Sequence, residues 1–468
     1  MTNDAIQIYN SLSREKELFR PLNPPKVTMY TCGVTVYDEC HIGHARSLYI
    51  FDVIRRYLQY KGYKVDFVRN ITDIDDKIIN RARELKVDWK DLVEKYIIRY
   101  YEDLEVLGIA KADHEPRATE NIPDMIAYIK GLIDKGYAYA TKSGVYFNVR
   151  KFSEYGKLSG QSIDEMLTGV RKEPDETKED PLDFALWKSS KEGEPFWESP
   201  WGNGRPGWHI ECSVMSQKYL KTDTLDIHAG GRDLIFPHHE NELSQAQALT
   251  GKPFAKFWIH HGLLTINNQK MAKSLGNFVT IKNFMEKYKN ADLLKLLFLS
   301  THYSHPVDYN DEKIVEAKQA LERIMILMEK IEKKVTCLPA GRQVTSEGND
   351  EIKGKFTKAM DDDFNTPQAL ASIFELVGIA NKNIDNVDVI TGARNSLKEL
   401  LAVLGISIGK KSANAETETQ AIEAKILERN KARAEKNFAL ADKIRKELEA
   451  GGVVLEDSKD GTLWRKKL

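Results

Sequence analysis

A strand, a helix and a second strand follow one another across residues 27–71, and this restricts the chain to a parallel α/β fold. Residues 27–32 are a short apolar, β-branched run that reads as a strand. From Ala45 the pattern changes: Leu48, Phe51, Ile54, Arg55 and Leu58 recur three or four apart, the period of a helix. Gly62 is placed to end that helix. Residues 65–71 supply the second strand. Two strands joined by a crossover helix form a βαβ unit, whose strands lie parallel.

His41-Ile42-Gly43-His44 falls between the first strand and the helix. Free main-chain N–H groups and the positive end of the helix dipole suit that place to an anion such as phosphate. Gly43 has no Cβ, so a nucleotide can approach the backbone, and two imidazoles add donors. On the tetrapeptide alone, a pair of surface histidines is an equal reading. A second segment, Lys270-Met271-Ala272-Lys273-Ser274-Leu275-Gly276-Asn277, carries two lysines three apart and then the Ser, Gly and Asn of a mobile loop. Such lysines can follow charge as it builds on a polyphosphate. An exposed basic turn has the same composition.

The 468 residues suggest about three domains. With 41% hydrophobic and 30% charged residues the chain can bury a core. The formal net charge is −1, so any nucleic-acid binding must use local basic patches. Four cysteines do not make a disulfide framework; metal ligation or free thiols fit better. The N-terminus lacks the pattern of a signal peptide, and no uncharged apolar run approaches membrane-spanning length. The expectation is a cytoplasmic protein with no membrane segment.

Further along, residues 73–86 read as a helix whose first turn holds Asp73, Asp75 and Asp76, acids that suit the dipole rather than a metal. Residues 137–141 and 145–149 alternate around Lys142-Ser143-Gly144 and predict a hairpin. The charge-dense residues 171–180 read as a solvated loop. Residues 225–233 read as a strand with a glycine-rich end, and Pro237 as the first turn of a helix. Ile314, Ala317, Leu321, Ile324, Met328, Ile331 and Val335 form a packing stripe for a helical bundle. A polar loop is expected over 337–350. Thr366 is expected to cap a helix with Pro367 at its first position, behind a solvated Asp361-Asp362-Asp363. Residues 408–419 read as a linker. In the remaining module, Asp460-Gly461 marks a hairpin, and residues 429–468 carry 11 Lys/Arg against 7 Asp/Glu. Trp464, beside Arg465, could stack on a base or sit in a small core.

Cys32 ends the first strand and Cys212 opens a later helix. His238 and Glu242 are four apart and so share a helix face. Two thiols, an imidazole and a carboxylate are a possible tetrahedral Zn²⁺ set. The separations are not those of a zinc finger, and buried cysteines beside a surface His-His pair are an alternative. The sequence does not choose between His238 and His239.

Taken together and in order, T-C-G-V-T-V-Y-D-E-C-H-I-G-H-A-R, G-W-H-I-E-C-S, G-G-R-D-L-I-F-P-H-H-E-N-E, K-M-A-K-S-L-G-N-F and D-D-D-F-N-T-P resemble the cysteinyl-tRNA synthetases, a class I aminoacyl-tRNA synthetase family. The resemblance runs from about residue 8 to the C-terminus. Ala272 stands where Ser is usual, Val34 lies at a variable site and residues 337–350 are atypical.

The resemblance implies a Rossmann-like parallel-sheet catalytic domain (1–110 and 204–285) split by an inserted connective domain (111–203). A stem-contact region and helical bundle (286–407) and a small α+β anticodon-binding module (420–468) would follow. It implies catalytic His41, His44, Lys270 and Lys273, with Gly43 and Asp233 also at ATP. It implies Zn²⁺ on Cys32, Cys212, His238 and Glu242. Cysteine would be bound by Thr35, Thr72, Trp208 and His228, and tRNA by Trp464 and Arg465. The substrates implied are L-cysteine, ATP with Mg²⁺ and tRNA(Cys), and the chain is expected to act as a monomer. Zinc would select the substrate thiol, because a soft thiolate binds it far better than a hydroxyl. Two other readings share the core: a ligase joining cysteine to an amino-sugar, against which the C-terminal module counts, and an inactive RNA-binding paralogue, against which the intact histidines and lysines count.

Overall fold

A computed structural model describes residues 5–168, 177–272, 275–336, 349–407, 413–458 and 461–466. It divides into two compact units, Met1–Ile406 and Ser407–Leu468.

The first unit is built on a four-stranded parallel sheet in the order Ala255–His261, Leu225–Gly231, Lys26–Thr31, Lys64–Arg69. Met29 lies opposite Ile227 on one side and Phe67 on the other. Every residue of Leu225–Gly231 is buried, as befits a central parallel strand covered on both faces. The helix Ile42–Tyr60 crosses over between the first two strands and buries Ala45, Leu48, Phe51, Ile54 and Leu58. In open parallel sheets, sites form beyond the C-terminal ends of the strands. Here those ends lead into Cys32, into Asn70 to Thr72, into Arg232 and Asp233, and into Gly262.

Between the second and third core strands lies a four-stranded antiparallel sheet, Ala138–Ala140, Gly144–Phe147, Phe184–Ser189 and Gly204–Pro206, which includes the expected hairpin. After the core, Leu264–Ile266 pairs antiparallel with Gln269–Lys270 and parallel with Val307–Tyr309. The helices Asp311–Thr336, Asn349–Asp361, Thr366–Lys382 and Val387–Val403 form the bundle. The stripe from Ile314 to Ile331 is buried in it.

In the first unit four expectations are corrected. The helix expected over 73–86 runs Asp76–Leu85 with Asp75 as its cap. Asp73 instead accepts from the Thr119 N–H at 2.9 Å and its hydroxyl at 2.5 Å, and Asp76 pairs with Lys188 and Arg205. The helix expected to open at Pro237 begins at Glu240, because Phe236 takes an extended conformation inside the turn Ile235–His239. Asn365, not Thr366, caps the next helix, while the Thr366 hydroxyl donates to Leu299 O. Asp361 and Asp363 are buried rather than solvated: Asp361 accepts from Tyr57 and Lys61, Asp363 from Tyr303 and the Tyr9 N–H. The loop expected over 337–350 lies outside the described residues up to 348.

In the second unit the helix Ala413–Ala434 starts inside the segment expected as linker. With Phe438–Ala450 and the hairpin Val453–Ser458/Gly461–Lys466 it encloses Ile422, Ile426, Ile444, Leu448, Val453 and Leu455. Arg429 clamps Asp457 at 2.7 and 2.9 Å.

Candidate active site and metal centre

The strand ends carry a nest of thiols, imidazoles and one carboxylate. Cys32 Sγ lies 3.8 Å from Cys212 Sγ and 3.4 Å from Glu242 Oε1. Cys212 Sγ lies 3.6 Å from His238 Nε2, and His238 Nε2 2.8 Å from Glu242 Oε1. Four ligands at zinc distances on tetrahedral corners stand roughly 3.3–3.8 Å apart, so three of these four edges already have the right length. Cys212, His238 and Glu242 are almost fully buried. The residues present therefore fit a zinc ion by donor type, burial and spacing.

A second grouping shares two of the same residues: Cys32, His228, His239 and Glu242. His239 Nε2 is 3.2 Å from Cys32 Sγ, but His239 meets one thiol where His238 lies with both. Each histidine is held at its far nitrogen: His238 Nδ1 by His209 Nδ1 at 2.9 Å, His239 Nδ1 by His260 Nε2 at 2.8 Å. Burial works against charge on His238, yet Glu242 and Cys212 outweigh it and lift the imidazole to about 10. Burial also opposes charge on Glu242, and His238 and His228 overcome it to hold the carboxyl well below its usual range.

Around this nest the structure gathers the residues expected in an amino-acid pocket. Thr35 and Thr72 face each other across an isolated parallel bridge. The Thr72 hydroxyl donates to buried Glu211 at 2.7 Å. Trp208 stacks on His238 with ring centres 3.8 Å apart, and His228 stacks on Trp258 at 4.5 Å. Gly33 is required here: a Cβ would lie 1.5 Å from Asn70 O. Asn70 Oδ1 accepts from both the Gly33 N–H and the Tyr30 hydroxyl.

At the helix start the expected arrangement changes in detail. His41 is the N-cap, and its Nδ1 accepts from the N–H groups of Gly43 and His44 at 3.1 and 3.3 Å. His44 Nδ1 accepts from the His41 N–H at 3.2 Å, and the rings stack 3.7 Å apart. Those main-chain groups are thus occupied by the motif's own side chains. With Nδ1 accepting, the neutral rings carry their protons on Nε2. Burial, then His41 and Lys77, push His44 down to about 3, which keeps it neutral.

The lysine-bearing segment lies against this cap. A Cβ at Gly43 would meet Met271 Cε at 3.4 Å, and Ile42 N donates to Val279 O. Asn277 bridges the segment, accepting from Ala272 N and donating to Lys270 O. Lys270 is exposed at the end of its strand; Lys273 lies outside the described residues. Asp233 sits exposed on the short turn Arg232–Leu234. Trp464 and Arg465 lie opposite Leu455 and Val454 in the second unit's hairpin, and their side chains lie outside the description.

The sequence reading missed His209, His260, Glu211 and Asn70. A signal existed for the histidines, since His209, His228, His238, His239, His260 and His261 all fall within 53 of the 468 residues. None existed for Asn70 or Glu211.

Residues 18–319 match the family described as tRNA synthetases class I (C) catalytic domain, 355–408 the DALR domain, and 418–465 the cysteinyl-tRNA ligase anticodon binding domain. A cysteine–tRNA ligase from Persephonella marina is 51% identical over 99% of this chain and 100% of its own length. One from Geobacillus sp. strain WCH70 is 50% identical over 99% of both chains. Among solved structures, Mycobacterium tuberculosis methionyl-tRNA synthetase with methionyl-adenylate superposes with a TM-score of 0.62 at 15% identity, covering 81% of this chain and 90% of that one. At that identity the likeness concerns the fold.

Proposed function

This chain belongs to the cysteine–tRNA ligase family of class I tRNA synthetases, and on that premise we propose that it activates L-cysteine with Mg-ATP and transfers it to the terminal adenosine of tRNA(Cys). The observation that carries this reading is the Cys32, Cys212, His238 and Glu242 nest, together with the stacked His41–His44 cap of the helix that follows the Cys32 strand. A thiol reader at the end of the strand Lys26–Thr31 is thus followed directly in the chain by a phosphate reader.

Cys32, Cys212, His238 and Glu242 would hold Zn²⁺, with His239 the neighbour that shares Cys32. Zinc supplies a soft Lewis acid that accepts a substrate thiolate and discriminates against a hydroxyl. Shape alone separates small side chains by roughly 10- to 200-fold. Trp208, His228, Thr35 and Thr72 enclose the amino acid. The cysteine carboxylate attacks the α-phosphorus in line and pyrophosphate leaves, so positioning and charge stabilisation suffice. The Nε2–H groups of His41 and His44 donate to phosphate and ribose oxygens, and neutral His44 does so without changing its charge. Gly43 lets the nucleotide close on the backbone, Asp233 takes the ribose hydroxyls, and Lys270 with Lys273 meets the charge developing on phosphorus.

Residues 1–110 and 204–285 take the catalytic role, 111–203 the connective one, 286–407 stem contact and 420–468 the anticodon, with Trp464 and Arg465 as tRNA contacts. The unpaired Cys32, Cys40 and Cys212 fit a cytoplasmic setting.

Cysteine-dependent exchange of pyrophosphate into ATP, followed by charging of tRNA(Cys), tests the proposal. Both reactions are expected, with serine inert. Exchange without charging would favour an amino-sugar ligase. Absence of both, in a zinc-loaded preparation, would mark an inactive RNA-binding paralogue.

A further inference from the structure

We infer that Arg46 is the positioning residue that sets the His41–His44 cap against the strand carrying Lys270. This rests on the ATP-site reading above. Arg46 lies one turn into the helix that His41 caps, and it is 0% exposed. Its Nη1 donates to Gly262 O and Leu263 O at 2.7 Å each. Its Nη2 donates to Tyr303 O at 3.2 Å and His305 O at 2.5 Å. The two pairs of carbonyls belong to two segments entering neighbouring strands, Leu264–Ile266 and Val307–Tyr309, which run parallel. The first of these strands pairs on its other edge with Gln269–Lys270, Thr265 opposite Lys270.

One guanidinium therefore holds the base of the small sheet from which the lysine segment departs. The far side of that segment returns to the same place: Ile42 N donates to Val279 O at 3.0 Å, and Ile281 N to Cys40 O at 2.9 Å. The small sheet that carries Lys270 and the backbone at Val279 to Ile281 are thus both tied to residues 40–46. The distance between the histidines and Lys270 depends on both attachments, and Arg46 is the one made by a side chain.

Arginine suits this task for a stated reason. Its planar fork offers donors in fixed directions, whereas lysine offers three on a single nitrogen. Among the described residues no carboxylate lies within ion-pair distance of Arg46, so the carbonyl dipoles alone compensate its charge. Burial pushes the guanidinium down to about 10, which leaves it charged at neutral pH. An apolar side chain here would take the donor from all four main-chain oxygens at once.

The test compares Arg46→Lys and Arg46→Gln in the full-length zinc-loaded chain and in the same chain lacking both loop lysines (K270A/K273A). Cysteine-dependent pyrophosphate exchange is measured per active site, counted from the burst of adenylate, so that only folded molecules are scored. In the chain with its lysines, R46K and R46Q are expected to lower kcat by about 10- to 100-fold, the scale of a misplaced reacting group. KM for cysteine should stay within about twofold of the original. Without the lysines the same substitutions should cost less than about threefold, because the effect passes through them. Equal losses in both backgrounds, or no loss in the first, would overturn the inference. An unsubstituted enzyme without exchange activity would remove the activity reading itself, a result obtained before any variant is made.

Discussion

His228 Nε2 and Glu242 Oε2 stand 2.6 Å apart with both side chains fully buried. Glu242 thus meets His228 with one oxygen and turns the other toward Cys32 and His238. Second partners of this kind orient a metal-binding carboxylate, and losing one typically lowers metal affinity by about 10- to 100-fold. His228→Asn is expected to weaken zinc by that factor in a chelator competition. Cys212→Ser, which removes a proposed ligand, should leave the purified chain without zinc and with cysteine affinity lost in parallel. A Cys212→Ser protein with one zinc per chain would refute the ligand set.

The Gly33 position tests the amino-acid pocket. A methyl group there would strike Asn70 O, whose side chain also aligns Tyr30. Gly33→Ala is expected to cost about 1–3 kcal/mol of stability, as overpacking does, and to raise KM for cysteine more than KM for ATP. Equal changes in both constants would detach Gly33 from the pocket.

The βαβ unit was legible in the sequence because it rests on local pattern: period and glycine placement. The Cys32, Cys212, His238 and Glu242 set came only through the family resemblance, since 210 residues separate Cys32 from Glu242. What was not legible depends on partners far along the chain. Nothing in H-I-G-H-A-R announces that Arg46 reaches Gly262, 216 residues on. The three acids at 361–363 look solvated until Tyr57, Tyr303 and Tyr9 surround two of them. The start of the helix at Glu240 was missed because Pro237 imitates a first-turn proline while Phe236 breaks the helical path. His41 and His44 were read correctly as a helix entrance, but their mutual capping needs ring positions that no spacing supplies.

Asp103 offers a pH signature outside the site. Burial raises its carboxyl from 3.8 to about 7, with Arg99 pulling the other way. Between about pH 4 and pH 7 the folded chain therefore keeps a proton that the unfolded chain releases. Stability falls as pH rises through that window and levels above it. Asp103→Asn removes the dependence. Its Tm is expected to exceed the original at pH 8, with the advantage shrinking to nothing near pH 4. A constant difference across this range would count against the raised carboxyl.

The division at Ile406 and Ser407 predicts a separable chemistry. Residues 1–406 contain His41, His44, Lys270, Lys273 and all four proposed zinc ligands, so this fragment should still form cysteinyl-adenylate. It should lose affinity for tRNA(Cys), and the lost part should be the steeply salt-dependent one, because phosphate contacts release counterions. Trp464→Ala in the full chain should reproduce part of the loss if the ring stacks on an unpaired base. Equal charging by fragment and full chain would remove the tRNA role assigned to 420–468.

Asp363 carries a consequence for how the molecule is made. Its main-chain N–H donates to Gln7 O, and its carboxylate accepts from Tyr9 N, 354 residues earlier. A ribosome adds roughly 5–20 residues per second, so the antiparallel pair Gln7–Asn10 and Glu15–Leu18 emerges tens of seconds before this partner exists. Late in that interval, once Ala255–His261 has been made, the nascent chain holds all four parallel core strands but not the clasp that closes Gln7–Asn10 onto the bundle. Closure of Gln7–Asn10 onto the first unit is therefore timed by synthesis of the D-D-D-F-N-T-P turn, and a chain stalled before it would leave Gln7 and Tyr9 without these partners.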